Sequence, residues 1–168
     1  MFKHETQVIK FLLQWYSVNA RNLPWRKKNN LNLPDPYFVF VSEYMLQQTT
    51  VNTVKNKFND FILKWPSLNK LAQTSEPNIL KFWSGLGYYS RARNLLKSAK
   101  IIKNNFKNKI PETYDELIQL PGIGDYTAKA ILGIGYNKSV MPLDANIERI
   151  LVRPVSYTHL RAHETYRD

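Results

Sequence analysis

Residues 120–132 read LPGIGDYTAKAIL. Pro121 stops a preceding helix, and Gly122 and Gly124 permit a tight turn, through positive φ or a close backbone approach. A second helix starts at once, so the turn's unpaired N–H groups and the positive end of that helix point outward together. Such a turn is an anion site, and a phosphate backbone can lie against it without any side chain being inserted. A lone Gly-x-Gly would read as a glycine-stopped helix followed by another. The length of the whole string carries the further reading.

Working outward, helices fall around Tyr114–Leu120 and Tyr126–Gly135, and Asp144 opens a last one. Upstream, GLGYYSRARNLLKSAKIIKNNF (85–106) puts Leu95, Leu96, Ala99, Ile102 and Phe106 on one helical face. Lys97, Lys100, Lys103 and Lys107 occupy the other, which reads as a solvated face. One of Tyr88 and Tyr89 is expected in the core, and Arg91 and Arg93 are open between phosphate binding and ion pairing. Pro66–Ser67 and Glu76–Pro77 open two short helices. By propensity alone FVFV (38–41) could be a strand. Its continuation, however, spaces Leu46, Val51, Val54, Phe58, Phe61 and Ile62 at helical intervals. The spacing predicts helix, broken once near Thr49–Asn52, where β-branched residues and an Asn gather. Between Phe2 and Asn19, Val8, Phe11, Leu12, Trp15 and Tyr16 make a first helical face, followed by a Pro- and Asn-rich loop from Leu23 to Pro36. No internal repeat and no convincing pair of alternating strands appears, so the predicted architecture is all-α.

The 168 residues suit one domain, and 43% hydrophobic residues suffice for a core. No apolar run approaches the roughly 18–20 residues of a membrane span. Charges in MFKHETQVIK, where a secretory signal needs an apolar core, point to a cytoplasmic protein. The absence of cysteine excludes disulfides, thiolate zinc sites, cysteine-ligated clusters and cysteine nucleophiles from this chain. Lys plus Arg number 24 against 13 acids, a net charge of +11. That excess fits a polyanionic partner, nucleic acid before an anionic membrane surface, although an ordinary basic protein would share it.

Five strings stand in an order that resembles one family: LPWR (23–26), SEYMLQQTTV (42–51), GLGYYSRARNL (85–95), LPGIGDYTAKAI (120–131) and LDANIERIL (143–151). Over residues 1–153 the chain is similar to adenine DNA glycosylases of the MutY type, in the endonuclease III-like helix–hairpin–helix glycosylase superfamily. The resemblance implies a six-helix barrel domain plus part of a second helical domain, with the hairpin at 117–132. It implies base-excision repair of adenine mispaired with 8-oxoguanine or guanine in double-stranded DNA, by a monomer associated with the bacterial nucleoid and not with a membrane. It also implies a monovalent cation on the hairpin's carbonyls.

Breaking a purine N-glycosidic bond needs a proton on the departing base and a negative charge facing an oxocarbenium-like sugar. One carboxylic acid with a raised pKa and one carboxylate meet those needs. Glu43, early in an otherwise apolar helix among Phe40, Val41, Tyr44, Met45 and Leu46, is placed to have its pKa raised by desolvation. By resemblance it is the general acid that protonates adenine and later activates water. Asp144 alone would read as a helix N-cap. By resemblance it is also the second carboxylate, positioned by Asn146, and the two roles are compatible because helix-end N–H groups favour an anion. The family usually has Gly where Ala145 stands, which bears on how closely the backbone there can approach a ligand. Tyr126 occupies the point where related bifunctional enzymes carry a Schiff-base lysine. A phenol cannot do that chemistry, and Lys129 lies about one turn further along. By resemblance Tyr126, Arg26, Leu46 and Val51 line the adenine pocket. Extruding a base costs a few kcal/mol; Gln48 and Tyr88 match residues that wedge into the stack, with Thr49 and Leu86 beside them, and Gly122 and Gly124 meet the backbone.

After Arg153 the pattern stops. VSYTHLRAHET (155–165) resembles the in-frame translation of a transposase sequencing adapter, so residues 154–168 are expected to be a non-native tail. His159, His163 and Glu164 imitate an i, i+4 metal site there without a supporting ligand cluster. On this reading the chain is an N-terminal fragment, marginal in stability and weak or inactive by itself, of a protein whose later residues hold a 4Fe-4S cluster; it binds no cofactor of its own. Two other functions compete. A bifunctional glycosylase/lyase of the endonuclease III kind would need an amine on the hairpin helix. A non-catalytic helix–hairpin–helix DNA-binding module would not need the carboxylates.

Overall fold

Asp35 and Pro36 start the helix on which the remaining elements are assembled. The Asp35 side chain accepts the Tyr37 N–H at 2.8 Å, and Pro36 stands where a missing backbone donor costs nothing. The structure, a computed structural model, describes residues 5–26 and 33–152. In it α1 spans Glu5–Asn19, a 3₁₀ turn Pro24–Arg26, α2 Pro36–Leu46 and α3 Val51–Lys64. These are followed by α4 Leu68–Ala72, α5 Glu76–Trp83, α6 Ser90–Asn105 and α7 Tyr114–Ile118. Helix α8, Asp125–Ala130, runs into a π-helical turn, Ile131–Gly135, and α9 covers Ala145–Val152. Among the described residues no strand forms, and no helix is long and apolar enough to cross a membrane. The predicted tail, 154–168, and its histidines lie outside the described residues.

The FVFV segment is helical because α2 is buried on all sides, with Val39, Phe40, Val41, Ser42, Tyr44 and Met45 fully enclosed. Burial all round removes the alternation by which a half-buried strand would be read. Helices α3 and α6, the 3₁₀ turn and the π turn pack around α2, while α4 and α5 rest on α6. Trp25 meets Phe58 edge-on at 5.3 Å, tying the 3₁₀ turn to α3. Thr50, Ser67 and Thr113 cap α3, α4 and α7 with their side chains. The break between α2 and α3 falls at residues 47–50, ahead of the expected Thr49–Asn52. Thr50 acts as a cap, so Val51 and Asn52 already belong to the first turn of α3.

Three further expectations change. Tyr88 and Tyr89 are both exposed, at 61% and 42%, because Trp83, Leu86, Ala92 and Leu95 fill the core beneath their turn. Leu86 is one of those core residues, so its side chain is not presented to a ligand outside. Helix α1 forms as expected, but Val8, Phe11, Leu12, Trp15 and Tyr16 are each more than half exposed, leaving its apolar face without a covering among the described residues. Leu95, Leu96, Ala99 and Ile102 are buried as the spacing predicts, with Phe106 half-buried. Of the lysine stripe, Lys97, Lys100 and Lys107 are exposed and Lys103 is half-buried.

The hairpin is anchored from α2 and α6. The Tyr44 hydroxyl donates to the Pro121 carbonyl at 2.5 Å, the Ser98 hydroxyl to the same oxygen at 3.1 Å, and Gln47 Nε2 to the Gly122 carbonyl at 3.0 Å. Gly122 is required twice. Its φ is +81°, and a Cβ would stand 2.9 Å from Asn94 Nδ2 and 3.1 Å from the Tyr44 ring. Gly124 is different from the expectation: its φ is −98°, and nothing lies within 4 Å of where a Cβ would be. It is the extended residue before α8, and its open side is space for an approaching ligand. Of the two glycines in the π turn, Gly135 is the crowded one: a Cβ there would stand 3.2 Å from the Pro36 Cα. Gly122→Ala is therefore expected to cost about 1–3 kcal/mol in a denaturant titration, whereas Gly124→Ala stays within about 0.5 kcal/mol of the parent.

Candidate active site

A cavity of about 460 Å³ opens where the 3₁₀ turn, the end of α2, the start of α3, α8 and the start of α9 converge. Arg26, Glu43, Leu46, Thr49, Val51, Tyr126, Asp144 and Asn146 line it. Residues far apart in sequence, from Arg26 to Asn146, are thus collected in one place. The same walls include Arg21, Leu23, Trp25, Gln47, Thr127 and Ile134, which sequence reasoning did not assign to the site. Leu23 and Trp25 stand in the LPWR string, Thr127 adjoins Tyr126 and Gln47 precedes Gln48, so their neighbours carried a signal; Arg21 and Ile134 had none.

Glu43 lies at the base, 7% exposed. It is one turn from the end of α2 and not near its start, because Asp35 and Pro36 begin that helix earlier than the Ser-Glu pair suggests. Loss of hydration pushes its carboxyl from an ordinary 4.5 up to about 7, and the Arg26 guanidinium opposes the change without cancelling it. The Tyr126 phenol is likewise pushed up, first by burial and then by the charges of Glu43 and Asp144, which puts it in electrostatic reach of both carboxylates.

Asp144 is the N-cap of α9. Its Oδ1 accepts the Asn146 N–H at 3.0 Å and the Ile147 N–H at 2.7 Å. Asn146 thus holds Asp144 through its backbone, while its side-chain oxygen accepts from the Arg149 guanidinium. Ala145 stands between them in helical conformation. Arg26 donates from Nη1 to the Tyr16 hydroxyl at 3.2 Å, linking the pocket rim to α1. Lys129 does not line the cavity; its ammonium pairs with Asp125 at 2.8 Å.

Gln48, Tyr88, Gly122 and Gly124 lie outside the cavity walls. Gln48 and Tyr88 are exposed and hold positive φ, 56° and 44°, which side chains rarely adopt. The Pro121 and Gly122 carbonyls of the hairpin accept from Tyr44, Ser98 and Gln47. The implied iron–sulfur cluster has no cysteine ligand in this chain. Among the described residues no group of three or more His, Asp or Glu side chains is placed to hold a metal ion.

A buried carboxyl facing a cavity, a second carboxyl on a helix end and a glycine hairpin beside them are thus brought together in one all-helical architecture. Comparison with known proteins agrees. The family model "HhH-GPD superfamily base excision DNA repair protein" matches residues 41–166, running past Arg153. The chain belongs to that superfamily. It is 46% identical over 145 residues to the adenine DNA glycosylase of Buchnera aphidicola subsp. Schizaphis graminum, covering 86% of this chain and 40% of that protein. To the adenine DNA glycosylase of Homo sapiens it is 40% identical over 160 residues, covering 91% and 29%. The chain therefore spans about two fifths or less of the length of these curated relatives. Among solved structures it matches a thermostable thymine-DNA glycosylase with a TM-score of 0.78 and 26% identity, over 89% of this chain and 67% of that one. A non-covalent endonuclease III–DNA complex shares the fold at a TM-score of 0.70 and 18% identity, over 89% and 68%.

The state of Glu43 bears on stability. The folded protein favours the neutral carboxyl, so the contribution of Glu43 is intact below about pH 4.5 and is lost as pH rises to about 7. At about 1.4 kcal/mol per tenfold change in proton affinity, the loss above pH 7 is about 3–4 kcal/mol. Glu43→Gln, which cannot ionise, is expected to be more stable than the parent at pH 8 by an amount of that order. The two should converge near pH 4.5 in parallel denaturant titrations.

Proposed function

We propose that the protein is a monofunctional DNA glycosylase that hydrolyses the N-glycosidic bond of adenine mispaired with 8-oxoguanine or guanine in double-stranded DNA. The observation that carries this reading is the meeting of Glu43 and Asp144 in one cavity, the first carboxyl displaced to about 7 and the second held on backbone N–H groups. Glu43 then holds its proton near neutral pH and delivers it to a ring nitrogen of the departing base. Left as carboxylate, it draws a proton from the attacking water. Asp144 faces the positive charge that develops on the sugar. The two carboxyl groups do different work because their surroundings differ.

Tyr126 supports the monofunctional form of the reaction. It brings a phenol to the cavity, and Lys129 is held by Asp125 outside it, so no amine on the hairpin helix faces the sugar. The relatives named adenine DNA glycosylase support the choice of base. The net charge of +11 and the outward hairpin at Gly122–Gly124 support a duplex partner, contacted through phosphates. Gln48 and Tyr88, exposed on strained turns, are the residues that enter the stack when the target base leaves it. On the family-like strings, residues 1–153 form the glycosylase portion and 154–168 a non-native tail, although the family model itself runs on to residue 166.

The test is a duplex with one adenine opposite 8-oxoguanine. Incubation with the full-length protein is expected to give strand breaks only after hot alkali. Breaks without alkali would establish a lyase, and binding without base loss would leave a DNA-binding module. Glu43→Gln should lower base loss by about 10²–10⁴ with duplex binding retained.

A further inference from the structure

Arg91 is 5% exposed and forms no ion pair; among the described residues those are Arg93–Glu76 and Lys129–Asp125. Its guanidinium donates instead to five backbone carbonyls. One Nη reaches Met45 at 2.8 Å, Tyr44 at 3.4 Å and also Gln47. The other reaches Leu86 at 2.8 Å and Gly87 at 3.2 Å. Its centre lies 5.7 Å from the Trp83 ring and 5.5 Å from the Tyr88 ring. A buried cation needs its lost hydration replaced, and here carbonyl dipoles and ring faces replace it at both Nη atoms, while the buried Nε has no acceptor among the described residues.

The five acceptors come from two segments about 40 residues apart in sequence. Each segment runs directly into an exposed side chain with positive φ: Gln47 into Gln48, and Gly87 into Tyr88. Strained backbone of this kind persists only where its surroundings over-determine it. Arg91 grips both turns by the carbonyls just before the strained residues.

We propose that Arg91 is a positioning residue for base extrusion, setting the spacing of Gln48 and Tyr88 by clasping the end of α2 to the Leu86–Gly87 turn. The inference rests on the reading above that these two side chains enter the duplex, and adds what fixes their separation. The planar fork is essential, since a lysine ammonium is a point donor that cannot span both sets of carbonyls.

The experiment uses duplex with 2-aminopurine opposite 8-oxoguanine, whose fluorescence rises on unstacking, and protein carrying Glu43→Gln so that the probe is not excised. In that background Arg91→Lys and Arg91→Met are expected to bind duplex within about threefold of the parent yet to lose at least about fivefold of the fluorescence rise at saturation. Leu71→Ala, a fully buried core change on α4 outside both turns, supplies the control. It should lower the melting temperature and keep the rise. A full rise in Arg91→Lys, no rise in the parent background, or a loss that follows melting temperature through Leu71→Ala would overturn the proposal. Adenine loss by the protein with Glu43 intact, scored separately, tells a failure of this inference from a failure of the glycosylase reading.

Discussion

The structure depends on the burial of α2. A helix enclosed on every side gives its one carboxyl, Glu43, almost no contact with water, and removing an ionised carboxylate from water is among the costliest steps in folding. The protein avoids most of that cost by keeping the group protonated. Arg26 at the pocket rim draws in the opposite direction but is exposed, so its pull is screened and burial prevails. An acid with a proton to give near pH 7 thus follows from packing.

The same helix fixes two further parts. Tyr44 and Gln47 hold the Pro121–Gly122 turn, and the carbonyls of Tyr44, Met45 and Gln47 receive Arg91. One rigid element therefore carries the acid, braces the hairpin and sets one of the two exposed turns. Each neutral hydrogen bond in that set adds only about 1 kcal/mol net. Their value is geometric: the glycine hairpin cannot shift without disturbing the helix that holds the carboxyl. Asp144 arrives from a separate element, α9, whose end N–H groups orient it without help from α2.

Much of this was legible in the sequence. The all-helical architecture, the hairpin, and the convergence of Glu43, Asp144, Tyr126, Asn146 and Arg26 on one cavity all agree with the quoted strings. Other features were hidden for identifiable reasons. Arg91 reads as a phosphate binder or an ion-pair partner because its true acceptors are main-chain carbonyls, which every residue possesses. Leu86 and Tyr88 are neighbours in one string, yet one is core and the other exposed, and only the turn's backbone decides which. Gly122 and Gly124 look equivalent, but only the first has positive φ and a crowded Cβ side. The apolar spacing of α1 fixes a helix without saying what its apolar face meets.

Everything proposed for the site turns on burial in α2 keeping Glu43 protonated into the neutral range. Carbon-13 NMR of carboxyl-labelled glutamate, with the Glu43 signal assigned by its loss in Glu43→Gln, measures this directly. The expected titration midpoint is about 7. A midpoint near the ordinary 4.5 would contradict it.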